Sequence, residues 1–178
     1  MQIDEKFRLV LPIRFAPDDT PLLHVYHTPI SREIFEANYR ILGATFTALM
    51  SPSSRLGAPR IAALRLRDEG VREAREQGAS GAEDAGASAL LAEIKRLSCI
   101  LAPQDGKWTM LPVDAALGAG TIDQDEWRHA ENSLVFFTCL YTMATKHEWK
   151  KMESGVVSVL GGSITSLLPM EFAASLTT

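Results

Sequence analysis

Histidines are the residues of this chain best suited to bind a metal or move a proton, and two of them lie close together in the sequence. His24 and His27 are three residues apart, a spacing that brings two rings together on a helix but directs them to opposite faces of a strand. The segment Leu23-His24-Val25-Tyr26-His27 alternates as a strand does. We therefore expect no zinc site from this pair.

The other two histidines each match half of a known metal motif. His129 and Glu131 form the H-x-E half of a zinc deaminase site, but the P-C-x-x-C partner is missing from the sequence. His147 and Glu148 lack the second histidine of H-E-x-x-H. Both pairs are predicted to be solvent-facing helix residues.

Nucleophiles and phosphate-binding loops have no recognisable motif. The sequence contains no G-x-S-x-G elbow, P-loop or G-x-G-x-x-G, and Gly161-Gly162-Ser163 is typical of a flexible connector. Cys99 and Cys139 lie in apolar patterns with helical spacing, where a thiol usually behaves as a small buried hydrophobe. We expect no catalytic residue, no cofactor and no metal, which favours a protein that binds over an enzyme.

Charge gives little reason to expect a nucleic-acid partner. The net charge is −4, so no global field attracts an anionic polymer. Residues 55–75 contain six arginines, but Asp68, Glu69, Glu73 and Glu76 are interspersed among them. Mixed signs of this kind are typical of a solvated amphipathic helix.

Length and hydropathy predict one domain outside the membrane. A chain of 178 residues suits a single domain with a substantial core. Residues 1–6 are charged and lack the apolar region of a signal peptide. The longest apolar run, residues 133–145, is interrupted by polar residues and is too short to span a bilayer. These features predict a cytoplasmic protein.

Hydropathy periods predict an α+β fold that is mainly helical, with an N-terminal β-hairpin and a long central helix near the C-terminal half. Period-two segments flank a Pro/Asp loop, and Pro12 predicts an edge strand or a bulge in the first of them. Thr28 before Pro29, or Ser31, is expected to start the first helix. Asp123 and Glu126 form a capping-box pattern at the start of the long helix, which is apolar nearly all round from Trp127 to Met143.

The remaining segments complete this prediction. A run of Gly, Ala and Ser at about 78–88 is expected to be a mobile loop, and about 161–178 a soft tail. Residues 156–160 are compatible with a helix or a strand. The predicted elements are strands at 6–15, 22–28 and 107–112, the last of which could add to the hairpin, and helices at 31–51, 59–77, 89–101, 113–117 and 123–143.

Three stretches of this chain form a recognisable set: His27-Thr28-Pro29-Ile30-Ser31-Arg32-Glu33-Ile34-Phe35-Glu36-Ala37, Ala130-Glu131-Asn132-Ser133-Leu134-Val135-Phe136-Phe137-Thr138, and Gly161-Gly162-Ser163-Ile164-Thr165-Ser166 leading to Glu171-Phe172-Ala173-Ala174-Ser175-Leu176. Together they resemble small proteins of long-tailed bacteriophages and prophages, the tail assembly chaperones. The resemblance spans nearly the whole chain. Its motifs are structural, so it brings no catalytic residue with it.

The resemblance implies a chaperone in the bacterial host cytoplasm that coats the helical tape measure protein and brings the major tail protein to it. A homo-oligomer is possible, and the family often makes a second, longer product by ribosomal frameshifting. The alternatives are a tail-completion or head–tail connector protein that stays in the virion, and a small DNA-binding regulator that uses residues 60–75. Apolar residues in the C-terminal region are the predicted client-binding set: Trp149, Leu167, Leu168, Met170 and Phe172.

Overall fold

The chain folds as an α+β protein in which helices cover one face of an antiparallel sheet with one parallel edge pair. The computed structural model describes residues 2–3, 8–51, 58–78, 85–104, 107–143 and 163–164. This architecture confirms the predicted class, with an N-terminal hairpin and a long helix toward the C-terminal half. The elements are β1 (Gln2–Ile3), β2 (Leu9–Phe15), β3 (Pro21–His27), α1 (Arg32–Met50), α2 (Ala58–Glu76), α3 (Ala85–Arg96), β4 (Ser98–Gln104), β5 (Lys107–Pro112), α4 (Val113–Gly118), α5 (Gln124–Met143) and β6 (Ser163–Ile164).

The hairpin of β2 and β3 follows the predicted period. Asp19 takes a positive φ of 63° in the connecting turn, a conformation that Asp tolerates better than most residues. The register between the strands shifts after Pro12, where proline cannot donate a ladder hydrogen bond. The predicted bulge is therefore confirmed.

The sheet has the order β5-β4-β3-β2-β1-β6, and β4 was predicted wrongly as the end of a helix. The third helix ends at Arg96, and Ser98–Gln104 pairs with β3 on one side and β5 on the other. A short apolar run suits either period, and here pairing on both sides decides for the strand. β5 was predicted as a strand, and it reaches the hairpin only through β4.

Successive side chains of a strand point to opposite faces of this sheet, so the strands contribute residues to two hydrophobic clusters. Leu9, Val25 and Ile100 join the large core that the helices complete. Val10, Tyr26 and Leu101 form a smaller cluster with Trp108 on the opposite face. The helices thus pack on one face only of the sheet's described strands.

Helix α5 is the central element, as predicted. Its residues are buried almost without interruption from Ala130 to Leu140. Asp123 Oδ1 accepts the backbone N–H of Glu126 at 2.8 Å, and Glu126 Oε2 accepts the N–H of Asp123 at 2.9 Å. This reciprocal pair is a capping box. Arg14 adds two further hydrogen bonds to Glu126, of 2.5 and 2.6 Å, and ties the hairpin to the start of α5.

One predicted boundary is resolved and another is corrected. Ser31 is the cap of α1, because its Oγ accepts the N–H of Ile34 at 3.3 Å. The predicted loop at 78–88 is too long, since α3 begins at Ala85 and Ala87 is fully buried in the core. Alanine has the highest helix propensity, so an Ala-rich run continues a helix readily. Residues 79–84 lie outside the described residues, as do 156–160 and most of 161–178.

None of the described helices is long and apolar enough to cross a membrane.

Candidate functional site

The five predicted client-binding residues lie outside the described residues. The structure therefore gives no contact for this set, and its role stays a prediction. The set is Trp149, Leu167, Leu168, Met170 and Phe172.

The two strand histidines are buried on opposite faces of the sheet, as their spacing predicts. His24 packs edge-on against Trp108 with ring centroids 5.6 Å apart, and burial lowers its pKa to about 4. His27 Nδ1 lies 2.9 Å from Ser98 Oγ, which itself donates to the carbonyl of Ile94 at 2.7 Å. Ser98 therefore accepts from an Nδ1–H tautomer of His27, whose pKa burial lowers to about 3. Both rings are neutral at physiological pH.

The H-x-E pair on α5 is only half exposed, which corrects the sequence prediction. His129 faces solvent, but Glu131 is 8% exposed. Its Oε2 accepts a hydrogen bond of 2.7 Å from the guanidinium of Arg67, and the adjacent Asn132 Oδ1 accepts the N–H of Ala63 at 2.9 Å. A buried carboxylate needs such a partner, so Glu131 joins α2 to α5. His147 and Glu148 lie outside the described residues.

Both cysteines sit in apolar surroundings, though only one is helical. Cys139 is buried in α5, where burial raises the pKa of its thiol to about 12. Cys99 lies on β4, not on the predicted helix, and burial also raises its thiol pKa. Neither thiol is poised as a nucleophile, which would need a lowered pKa. Among the described residues, no cluster of three His, Cys, Asp or Glu side chains is placed to hold a metal ion.

The arginines of α2 are largely engaged with nearby acids. Arg67 pairs with Glu131, and Arg72 lies 2.5 Å from Glu69 and 3.9 Å from Glu76. Arg65 is 3.9 Å from Asp68, and Arg55 lies outside the described residues. These pairs agree with a solvated, mixed-charge helix more than with a footprint for a phosphate backbone.

A groove between α1 and α2 is the candidate site that the described residues build. It contains two adjoining cavities of about 410 and 340 Å³, and its lining covers two turns of each helix. Arg40, Ile41, Glu73 and Gln77 line both cavities. The rest of the lining is Ala37, Asn38, Tyr39, Ala44, Glu69, Gly70, Arg72, Ala74, Glu76 and Gly86.

The apolar residues of the lining lie between its charged residues, and all but Ile41 are small. On α1, Ala37, Ile41 and Ala44 recur at helical spacing, and Gly70 and Ala74 lie one turn apart on α2. Short side chains leave the space between the helices open. In the sequence the same pattern is typical of core packing, which is why the groove was not predicted.

Charges on the two walls differ in how they are neutralised. Arg72 is matched by Glu69 and Glu76. Glu73 accepts a hydrogen bond of 3.3 Å from the neutral amide of Gln77, and among the described residues no ion pair reaches Glu73 or Arg40. Within the described part of the chain, Glu73 and Arg40 are thus the two charged lining residues that take part in no ion pair.

An aromatic ring at the groove completes its binding character. Tyr39 is 56% exposed although it is a large side chain on a packed helix, and tyrosine is enriched at protein interfaces. An accessible, amphipathic groove of this kind can hold a polypeptide segment. Comparison of the chain with family models, with curated proteins and with solved structures found no match in any of the three.

Proposed function

We propose that this chain is a tail assembly chaperone of a long-tailed bacteriophage or prophage. In this proposal it holds helical segments of the tape measure protein during tail assembly and presents them to the major tail protein. The family assignment is supported by the three stretches that resemble such chaperones. The holding role is supported by the groove between α1 and α2.

The accessible groove is the observation that carries the proposal. It runs for two turns along both helices, has small apolar residues between charged walls and has Tyr39 exposed in its lining. A groove between two helices suits an amphipathic helix, which places its apolar stripe in the groove and its polar flanks at the walls. The tape measure protein is a helical client of this kind.

Two of the resembling stretches build the scaffold of this groove. Residues 27–37 contain the end of β3 and the capped start of α1. Residues 130–138 lie in α5, where Glu131 and Asn132 hold α2 through Arg67 and the N–H of Ala63. The resemblance therefore covers the residues that set α1 and α2 in place.

The C-terminal region is the second proposed contributor. Trp149, Leu167, Leu168, Met170 and Phe172 supply apolar surface that an extended helical client would need beyond a groove of two turns. In the alternative, the same residues complete the protein's own core. The experiment below separates the two roles.

Co-expression with the tape measure protein from the same gene cluster tests the proposal. We expect the full-length chain to keep that client soluble and to co-purify with it. A truncation after Ser166 removes Leu167, Leu168, Met170 and Phe172 but keeps β6, and we expect reduced co-purification with an unchanged melting temperature. Loss of folding in the truncated chain would assign these residues to the core.

The location of the protein in infected cells provides an independent check. A chaperone is absent from purified virions, whereas a connector is present in them in fixed stoichiometry. Stoichiometric recovery from mature particles, or failure to retain the client, would replace the proposal with the connector function. Salt-dependent affinity for duplex DNA would instead indicate the DNA-binding regulator.

A further inference from the structure

We propose that the α1/α2 groove selects client helices that carry a lysine or arginine beside their apolar stripe, and that Glu73 pairs with that cation. The inference rests on the proposed function, since it names the chemistry of the client that the chaperone holds. Glu73 is the specificity-determining residue in this inference because it lines both cavities of the groove and, unlike Glu69 and Glu76, has no ion pair among the described residues.

The lining of the groove determines which apolar side chains of a client helix can enter it. Ala37, Ala44 and Ala74 are small, and Gly70 has no side chain. Because these side chains are short, they leave space between α1 and α2. Apolar side chains of a client helix can enter this space between the charged walls.

The charged residues on the two walls determine how a bound client helix is rotated about its own axis. Glu73 on α2 accepts the amide of Gln77, and no ion pair within the described part of the chain neutralises its carboxylate. Arg40 on α1 likewise has no ion pair within the described part of the chain. A helix with a base on the α2 flank and an acid on the α1 flank matches both charges, and a helix turned the opposite way meets like charges.

The balance of charges disfavours an anionic ligand in the same space. Three glutamates and two arginines line the groove, and Arg72 already lies between Glu69 and Glu76. A phosphate or a nucleic-acid backbone would meet net negative charge. The basic flank of a polypeptide is attracted to the glutamates of the lining, and partial removal of water strengthens this attraction.

A pair of charge-reversal variants on one helix tests the role of Glu73. The probe is a set of labelled synthetic peptides that tile the tape measure protein of the same gene cluster, and the readout is fluorescence anisotropy. For peptides with a lysine or arginine beside the stripe, we expect Glu73→Lys to weaken Kd about tenfold at low salt, and less at high salt. Asp68→Lys makes the same change in net charge on α2, at a residue outside the groove lining, and should change Kd by less than about twofold.

Reversal of the partner charge supplies the specific signature. A peptide whose flanking lysine is replaced by glutamate should bind Glu73→Lys more tightly than it binds the wild type. Equal effects of Glu73→Lys and Asp68→Lys, or no recovery with the reversed peptide, would overturn the inference. Neither result affects co-purification of the client, which decides the proposed function separately.

A steric variant locates the peptide within the groove. Ala74→Trp fills the space between the helices and should weaken peptide binding by tenfold or more, whereas Ala92→Trp on the exposed side of α3 should leave it unchanged. Undiminished binding by Ala74→Trp would place the peptide elsewhere. Self-association that Glu73→Lys abolishes, seen by sedimentation, would assign the groove to a second copy of the chain and overturn the inference as well.

Discussion

At the scale of single residues, two neutral histidines in the sheet link folding to pH. His27 has no exposed surface and gives its one ring proton to Ser98, while burial holds its pKa near 3. Protonation would place a charge where the described residues offer Nε2 no hydrogen-bond partner. The unfolded chain accepts the same proton at the ordinary pKa of 6.5. Acid therefore favours the unfolded state.

The sign of this linkage gives a testable pH window. The stability contributed by neutral His27 is complete above pH 6.5 and is lost progressively as the pH falls toward 3. Between pH 7.5 and 5.0, we expect the wild type to lose about 2 kcal/mol more free energy of unfolding than His27→Gln, which cannot be protonated. Urea unfolding at the two pH values measures the difference. Parallel losses in the two proteins would contradict it.

At the scale of elements, α2 is held by the buried acceptors of α5. Arg67 pairs with Glu131, whose side chain is 11% exposed, whereas Arg65 pairs with Asp68, whose side chain is 71% exposed. Only the first pair would leave a carboxylate in a poorly hydrated site if its arginine were removed. The two arginines lie two residues apart on one helix and thus form a matched comparison.

Removal of each arginine should separate these roles. We expect Arg67→Ala to lower the free energy of unfolding by about 1–3 kcal/mol, because Glu131 loses its counter-charge. Arg65→Ala should cost less than about 0.5 kcal/mol, since an exposed pair contributes little. Chemical denaturation of both variants gives the comparison. Equal costs would show that Glu131 finds another partner or hydrates without penalty.

Elements whose signals are local were predictable from the sequence, and those decided by distant contacts were not. The capping box of Asp123 and Glu126 needs only residues three apart, and it forms as predicted. Residues 89–101 were predicted as one helix that stops before Pro103, but pairing with β3, more than seventy residues earlier in the chain, makes Ser98–Gln104 a strand. The α1/α2 groove was missed for a related reason, since Ala37 and Ala74 look like core residues until the space between the helices is seen.

At the scale of the whole molecule, one large core joins the sheet to the helices. The cluster contains Leu9 and Val25 from the hairpin, Ile100 from β4 and Leu134 from α5. Because helices and strands share this core, loss of packing at its centre affects both kinds of element. The described elements are thus expected to unfold as one cooperative unit.

Truncation of a core leucine checks this cooperativity. Leu134→Ala should cost about 2–5 kcal/mol, since Leu134 is fully buried. Its unfolding curves by circular dichroism and by tryptophan fluorescence should shift together. Leu64→Ala, at a residue that is 57% exposed on α2, is the control and should shift neither. Separate transitions for the two signals would show that sheet and helices unfold independently.

Because β1 pairs with β6, this edge of the sheet can be completed only after the other described strands have been synthesised. Gln2 and Ile3 lie beside Ser163 and Ile164 in parallel register, so this edge of the sheet joins an early segment to one that is synthesised well after β2, β3, β4 and β5. During synthesis, β2, β3, β4 and β5 can assemble well before Ser163 leaves the ribosome. Until then the outer edge of β1 lacks the partner that β6 later provides, and an unpaired edge is where strands from other chains can add. The nascent chain therefore passes through a stage in which the outer edge of β1 is open to strand addition, and pairing with β6 covers that edge in the complete sheet.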